Sequence, residues 1–305
     1  MRSILTLALS LLLLPHLALA EDEKAVETEQ VAANTVVSDP EGPETKTDDI
    51  QTSSINFEDA FKPYIERPHD DGTFRIYVMG DSLGAGAWQG LFQNFKKAKY
   101  PAFDVVQKAK VNTGIVRSDR LNWPKQVEKL ANARDFQIAV MLFGGNDMQT
   151  IRTKGKAHHY KTDGWVEQYG ARLDTMITEL KDRGVAVYWM GLPIVKKKRL
   201  QEDYTYLNEI FKQKAEEHGI RYVDTWGVTA DDSGRYSQQG LDLNGKKTRL
   251  RARDGVHFTP SGYRVLARYV EDAIKADLEE MKKALGPDVV GGERPPVAVP
   301  VPRPG

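Results

Sequence analysis

The chain has 305 residues, carries 43 basic and 43 acidic side chains, and is 40% hydrophobic. This length and apolar content suffice for a globular core in one or two domains. A net charge of zero argues against nucleic acid as a partner, because proteins that bind nucleic acid in bulk carry a strongly basic domain. Cysteine is absent, so the protein has neither disulfides nor a lipid-attachment cysteine.

The first twenty residues have the features of a secretory signal peptide. Arg2 precedes an apolar run from Ile4 to Leu14, and small residues occupy positions 18 and 20. We expect cleavage after Ala20 and export to the periplasm, or secretion beyond it. Because the apolar run is short for a membrane span, no stable membrane insertion is predicted after cleavage. An uncleaved membrane anchor is the alternative.

Two segments of biased composition flank the predicted domain. Residues 21–54 contain ten Asp or Glu against two Lys and few large apolar side chains, a pattern typical of a disordered acidic linker. Residues 286–305 contain six prolines and are predicted to form a Pro-rich disordered tail. Residues 55–285 between them are predicted to form one domain, to which we expect catalysis to be confined.

Within that domain, short apolar runs alternate with longer helical patterns. Strands are predicted at residues 74–79, 103–108, 138–143, 185–190 and 220–224. Helices are predicted at about 85–99, 124–133, 164–182, 203–218 and 261–285. Nearly continuous apolar runs indicate strands that are buried on both faces of a parallel sheet. Five βα units in a row predict a doubly wound, three-layer α/β/α domain with a five-stranded, mainly parallel sheet of flavodoxin-like type.

One stretch, residues 226–253, is too long for a plain connection between a strand and a helix. Loops of this length in compact domains usually carry function or are mobile. We therefore expect it to be functional or mobile.

The stretch YVMGDSLGAG, residues 77–86, closes the first predicted strand. Ser82 is either a nucleophile or, like Asp81, a cap for the helix that follows. The match of GDSLG to the G-x-S-x-G nucleophile elbow is formal, because that elbow usually follows several strands rather than the first. Ligands of doubly wound sheets bind at the carboxyl ends of the strands, which is where Ser82 is predicted to lie.

Three further motifs follow predicted strands or precede the last helix. KVNTGIVRSD contains Gly114, where the missing Cβ allows a backbone N–H to approach a ligand. LFGGNDMQ contains Asn146, which by itself would be a turn residue more often than a catalyst. Its predicted position opposite Ser82, across adjacent strand ends, favours a role in the site. RARDGVHFTPSGY places Asp254 and His257 three residues apart, a spacing that a turn or a metal site could equally use.

Taken in chain order, the GDS, Gly, G-x-N-D and D-x-x-H blocks resemble the SGNH (GDSL-like) hydrolase family, and within it the exported bacterial DUF459 group. The resemblance covers residues 74–285. It implies that Ser82 is the nucleophile, His257 the general base and Asp254 the carboxylate that orients the base. It also implies an oxyanion hole with three donors, the N–H groups of Ser82 and Gly114 and the side-chain amide of Asn146.

The activity implied by the resemblance is that of an exported serine esterase. Such an enzyme would remove acyl groups of acetyl or succinyl type from a carbohydrate, a cell-envelope glycan or a small ester, without a cofactor. A periplasmic O-acyltransferase with the same three residues is an alternative, since a sugar hydroxyl can replace water. A non-catalytic envelope-binding protein is a third. No metal site is predicted, because the other histidines lack partners at ligand spacing.

Two acidic residues in these blocks have either a structural role or a directly catalytic one, and the structural role is favoured. Asp81 and Asp147 are interpreted as acceptors for backbone N–H groups that hold the loops after the first and third strands. Their predicted role is therefore structural.

A basic stretch leads into the Asp254 motif. Five cations in it are predicted to make the mouth of the site positive and to bind an anionic substrate, namely Lys246, Lys247, Arg249, Arg251 and Arg253. One alternative is a solvated loop without a specific role. In another, some of the arginines brace the loop against the sheet.

Overall fold

The structure is a computed structural model that describes residues 62–66, 68–69, 72–97 and 103–286. The predicted signal peptide, the acidic linker and the Pro-rich tail beyond Gly286 lie outside the described residues. Within the described part, no helix combines the length and the apolar character needed to cross a membrane.

The described chain alternates strands and helices. Its strands are β1 (Phe74–Gly80), β2 (Phe103–Gln107), β3 (Ile138–Leu142), β4 (Ile151–Thr153), β5 (Lys156–His158), β6 (Ala186–Met190), β7 (Arg221–Val223), β8 (Gln239–Leu241) and β9 (Lys247–Arg249). Its α-helices are α1 (Ser82–Lys97), α2 (Trp123–Asn132), α3 (Asp163–Lys181), α4 (Lys198–His218) and α5 (Pro260–Leu285).

Five of the strands form one parallel sheet in the order β2-β1-β3-β6-β7. Each of them agrees with a predicted strand to within one residue at either end. The predicted doubly wound α/β fold is thereby confirmed. Two short antiparallel hairpins, β4–β5 and β8–β9, were not predicted from the sequence. The second lies within the stretch 226–253 that was expected to be functional or mobile.

Two groups of helices enclose the sheet. Helix α1 packs against α5, whereas α2, α3 and α4 pack side by side in a second layer. Every residue of β3 and β6 is buried, as the apolar runs predict. Aromatic rings extend this core from the sheet into the second layer, where Trp123 contacts Phe143 edge to face, and Trp189 lies against both Phe143 and Phe211.

The strand order reverses between β1 and β3, because the chain passes from β1 to β2 on one side and returns to β3 on the other. The carboxyl ends of β1 and β3 therefore border the crevice where such sheets bind ligands. Gly80, with φ of +150°, lets the chain leave β1 here. A Cβ at this position would lie 2.1 Å from the carbonyl oxygen of Leu142, so only glycine fits.

Two glycines bring α1 close to the start of α5. A Cβ added at Gly86 would lie 1.9 Å from the ring of Tyr263, and one added at Gly90 would lie 2.1 Å from the Tyr263 carbonyl oxygen. The helices are thus in direct backbone contact near the ends that face the crevice.

We predict that Gly90→Ala destabilises the protein. The intrinsic helix propensity of alanine is more favourable than that of glycine by about 1 kcal/mol, which opposes the effect. Overpacking against backbone costs about 1–3 kcal/mol, and the Tyr263 carbonyl cannot move aside as a flexible side chain would. The free energy of unfolding, measured by urea denaturation, should fall. Gly227→Ala is the matched control because nothing lies within 4 Å of a Cβ there. Equal stability of the two variants would contradict this packing.

Candidate active site

The turn between β1 and α1 is capped by Asp81 and not by Ser82. Asp81 accepts the backbone N–H of Leu83 on Oδ1 at 2.8 Å, and its carbonyl accepts the first helical hydrogen bond from Ala85 at 3.0 Å. Ser82 is the first residue of α1 and is half-buried. Its hydroxyl makes no capping bond and lies 2.9 Å from Nε2 of His257.

The loop before α5 places a carboxylate behind the imidazole of His257. Nδ1 of His257 is 2.8 Å from Oδ2 of Asp254, and Oδ1 of Asp254 accepts the backbone N–H groups of Val256 and His257 at 2.8 and 2.9 Å. Gly255 makes this turn with φ of +73°. An acceptor at Nδ1 favours the tautomer with its proton there, which leaves the Nε2 lone pair facing the Ser82 hydroxyl.

The surroundings of Asp254 favour its ionised form. Burial opposes its charge, but the N–H groups of Val256 and His257 and the imidazole outweigh that effect and lower the pKa of Asp254 to about 2. The side chains of Asp254 and His257 are 51% and 39% exposed. The three residues thus lie at an open surface and not in a deep cavity.

Gly114 and Asn146 meet beside the turn that carries Ser82. The Asn146 amide donates one hydrogen to the Thr113 carbonyl at 2.8 Å, which leaves its second hydrogen available. A Cβ at Gly114 would lie 2.2 Å from Oδ1 of Asp147, so glycine is required for this approach. Within the described residues, the backbone N–H groups of Gly114 and Ser82 donate to no protein acceptor.

Two fully buried carboxylates connect the loops that follow β1, β2 and β3. Asp81 accepts the N–H of Gly145 at 2.9 Å, and Asp147 accepts the N–H of Val116 at 3.1 Å and the Tyr169 hydroxyl at 2.9 Å. These contacts confirm the predicted structural role of Asp81 and Asp147. Burial raises the pKa of both carboxyls, that of Asp81 to about 7.

The hairpin β8–β9 carries most of the cations that were predicted to bind substrate. Four of them are exposed to solvent, namely Lys246, Lys247, Arg249 and Arg253. Arg251 is fully buried, so its predicted contact with a substrate is wrong.

Arg251 braces the loop that carries His257. Its Nη1 donates to the Ile194 carbonyl at 2.5 Å and to the Thr229 hydroxyl at 2.8 Å, and its Nη2 donates to the Val256 carbonyl at 2.8 Å. The guanidinium also lies 4.0 Å from the ring centre of Phe258. Burial lowers the pKa of Arg251 to about 10. Only a structure could distinguish this arginine from its exposed neighbours.

A second basic run at the same edge of the sheet was not singled out from the sequence. Residues 196–199 read KKKR, follow β6 and are exposed. The Lys196 N–H donates to the Gly255 carbonyl at 3.0 Å. The sequence signal was available, since four cations in succession follow a predicted strand. Among the described residues, no group of three or more His, Cys, Asp or Glu side chains is placed to hold a metal ion.

The sequence profile of a family described as "Protein of unknown function (DUF459)" matches residues 75–273, more than half of the chain. The chain belongs to the DUF459 family. The resemblance to this group that the motifs predict is therefore confirmed. The matched DUF459 segment includes Ser82, Asp254 and His257.

Solved structures similar to the DUF459 chain include a GDSL-like lipase from Bacteroides thetaiotaomicron, which is 15% identical in sequence and has a TM-score of 0.47. The match covers 69% of this chain and 91% of the lipase chain. A psychrotrophic esterase from Pseudoalteromonas sp. is 13% identical and has a TM-score of 0.45, and the match covers 67% of this chain and 98% of the esterase chain. A variant of an acetyl xylan esterase from Geobacillus stearothermophilus is 18% identical and has a TM-score of 0.48, and the match covers 67% of this chain and 96% of the esterase chain. Comparison with curated protein sequences finds no match.

We predict that Asp81 makes the stability of this DUF459 protein fall as pH rises toward neutrality. Its pKa is about 7 in the folded chain and 3.8 ordinarily, so the folded state holds a proton that the unfolded state releases in this window. In Asp81→Asn this contribution, on the order of a few kcal/mol, is lost. The free energy of unfolding should therefore change less between about pH 5 and about pH 7 in the variant.

The control for this experiment is Asp119→Asn. Asp119 is exposed, and its pKa is lowered to about 2 by Arg117, so it does not titrate in the window. The control should keep the pH dependence of the parent. A parent-like pH dependence in Asp81→Asn would contradict the buried environment described for Asp81.

Proposed function

We propose that the protein is an SGNH-type serine esterase in which Ser82 carries the acyl group. The observation that carries this proposal is the 2.9 Å contact between the Ser82 hydroxyl and Nε2 of His257, with the Asp254 carboxylate 2.8 Å behind the ring. A serine hydroxyl becomes a useful nucleophile only when a base takes its proton. The open surface around these residues leaves room for an ester on a large substrate.

In the first half of the reaction, Ser82 Oγ attacks the ester carbonyl and its proton passes to His257 Nε2. The Asp254 carboxylate stabilises the imidazolium that forms. The bond between the carbonyl carbon and the alcohol oxygen then breaks, and the imidazolium returns the proton to the departing alcohol. The product is an ester of Ser82.

In the second half, water takes the place of the alcohol. His257 accepts a proton from the water, whose oxygen attacks the acyl carbon, and Ser82 leaves with that proton. In both halves negative charge develops on the carbonyl oxygen. We assign its stabilisation to three donors, the N–H groups of Ser82 and Gly114 and the free amide hydrogen of Asn146. No cofactor takes part.

We propose an acylated glycan, or a small ester of the same type, as the substrate. The signal-peptide pattern at the amino terminus supports export to the periplasm, where envelope glycans are available. The four exposed cations, three in the hairpin and Arg253 beyond it, support an acyl group with its own negative charge, such as succinyl, over a neutral lipid ester. A non-catalytic envelope-binding role is less well supported, because all three triad positions are filled.

Acyl transfer to a sugar hydroxyl is the second candidate, and the exposure of Asp254 and His257 favours it. An open acyl-enzyme can be attacked by a sugar hydroxyl as well as by water. The two activities are separated by measuring acid released from a small ester with and without an added oligosaccharide. Release without an acceptor supports the hydrolase, and release that requires the acceptor supports the transferase.

We predict that a fluorophosphonate labels the protein once, at Ser82. Ser82→Ala should abolish the labelling and lower kcat on a small ester by a factor on the order of 10⁴ or more. Ser118→Ala, an exposed serine in the loop after β2, is the control and should be labelled like the parent. Labelling that persists in Ser82→Ala would refute the assignment of the nucleophile.

We also predict that a succinyl ester is hydrolysed faster than the acetyl ester of the same alcohol at low salt. The hairpin cations should attract the anionic acyl group, and salt should screen this attraction. Replacing Lys246, Lys247 and Arg249 with Glu should reduce the ratio of the two values of kcat/KM by about tenfold. Reversal of Lys282 and Lys283, at the far end of α5, is the control. A ratio that does not respond to salt or to the hairpin variant would exclude an anionic acyl group.

A further inference from the structure

Four consecutive cations form an exposed rim on the edge of the sheet where Ser82 lies. They occupy residues 196–199, between β6 and the body of α4, and we call them the basic rim. Among the described residues, none of the four forms an ion pair. Their charge is therefore available to a ligand, in a chain whose net charge is zero.

The position of the basic rim conflicts with the electrostatics of its own helix. Lys197 is the N-cap of α4 and provides no side-chain cap, Lys198 and Arg199 open the helix, and the first turn contains no acidic residue. The amino end of a helix is partially positive, so cations there are unfavourable and an acidic or capping residue is preferred. The nearest acidic residues of the helix, Glu202 and Asp203, follow only after the first turn. Helix stability therefore does not explain the cations at the start of α4, which points to a role in binding.

The basic rim touches the loop that carries the proposed base. The Lys196 N–H donates to the carbonyl of Gly255, which lies between Asp254 and His257. The contact is tight, because a Cβ at Gly255 would lie 2.4 Å from Cβ of Lys196. The rim thus adjoins the loop that carries Asp254 and His257.

An aromatic cleft continues from the basic rim. Lys198 lines this cleft, which has a volume of about 600 Å³, together with Tyr206 and Trp226. The two rings are half-buried and pack against the core, so each is held firmly while part of it faces solvent. The backbone of Trp226 is fixed as well, since its N–H donates to Asp224 at 2.8 Å.

Trp226 differs from the other tryptophans in its indole N–H. Trp88, Trp123 and Trp165 donate to protein oxygens, whereas the indole N–H of Trp189 also lacks an acceptor in the described part of the chain but is fully buried and out of reach of a ligand. The indole of Trp226 has no protein acceptor within the described residues and is partly exposed. An aromatic face with a free donor suits a sugar ring, which has an apolar face and hydroxyl groups at its edge.

We propose that the basic rim and Trp226 form a subsite for an acidic glycan, one whose sugar units carry carboxylate or sulfate groups. Lys197, Lys198 and Arg199 bind the anionic groups, Trp226 packs against a sugar ring, and the glycan passes Gly255 to present its ester to Ser82. The inference rests on the proposed function, because the subsite matters to a reaction only if Ser82 is the nucleophile. Glycan binding is measured without turnover, so the subsite and the esterase activity can be refuted separately.

The test uses the full chain with Ser82→Ala and a fluorescent hexasaccharide derived from heparin, at low salt. Replacing Lys197, Lys198 and Arg199 with Glu should weaken binding at least about tenfold. The same variant should melt at a higher temperature, because acidic residues suit the start of α4. A purely structural role for the cations predicts a lower melting temperature instead. The control replaces Lys96 and Lys97, in the last turn of α1, with Glu and should bind as the parent does.

Two further probes test the glycan part of the proposal. Trp226→Ala should weaken binding of the hexasaccharide but not of inorganic polyphosphate, which has no sugar ring to pack against the indole. Neutral xylohexaose should bind at least about tenfold more weakly than the acidic hexasaccharide, and its binding should respond little to salt. Unchanged hexasaccharide binding in either the rim variant or Trp226→Ala overturns the proposal, as does equal binding of the neutral and acidic sugars.

Discussion

Asp81 places a carboxylate where no solvent reaches it, and both of its oxygens accept backbone N–H groups. One donor, Leu83, belongs to the helix that begins with Ser82, and the other, Gly145, precedes Asn146 in the loop after β3. A buried carboxylate is costly unless such bonds satisfy it, so the two segments cannot separate without exposing an uncompensated polar group. Together with the pairing of β1 and β3, this side chain therefore holds the turn of Ser82 against the Asn146 loop.

A buried arginine acts in a similar way on the other side of the site. Arg251 binds carbonyl groups of the loop after β6 and of the loop that carries His257, and it also binds Thr229. Its guanidinium has many donors in a fixed plane, which suits a position where several chain segments present oxygen atoms. Ser82 and His257 are thus each supported from within the protein, while the face that they share stays open to solvent.

The sheet could be predicted from the sequence because its strands are buried on both faces and read as nearly continuous apolar runs. The candidate triad could be predicted because its residues lie in short motifs at strand and helix ends.

The start of helix α4 could not be predicted in this way. The helix was predicted from residue 203 but begins at Lys198, because cations without a cap do not resemble a helix start. Arg251 shows the same limit, since local sequence does not reveal which arginine in a basic stretch is buried.

The close contact between α1 and α5 has a consequence for how the protein would tolerate change. Ser82 is the first residue of α1, and His257 lies three residues before the start of α5. The glycines at 86 and 90 set how near the two helices lie, so they also set the reach between hydroxyl and imidazole. Thermal loosening of this helix pair would separate the reacting groups while the sheet was still intact. Activity would then be lost at a lower temperature than the fold, because the contact between the two helices would limit the heat resistance of the site.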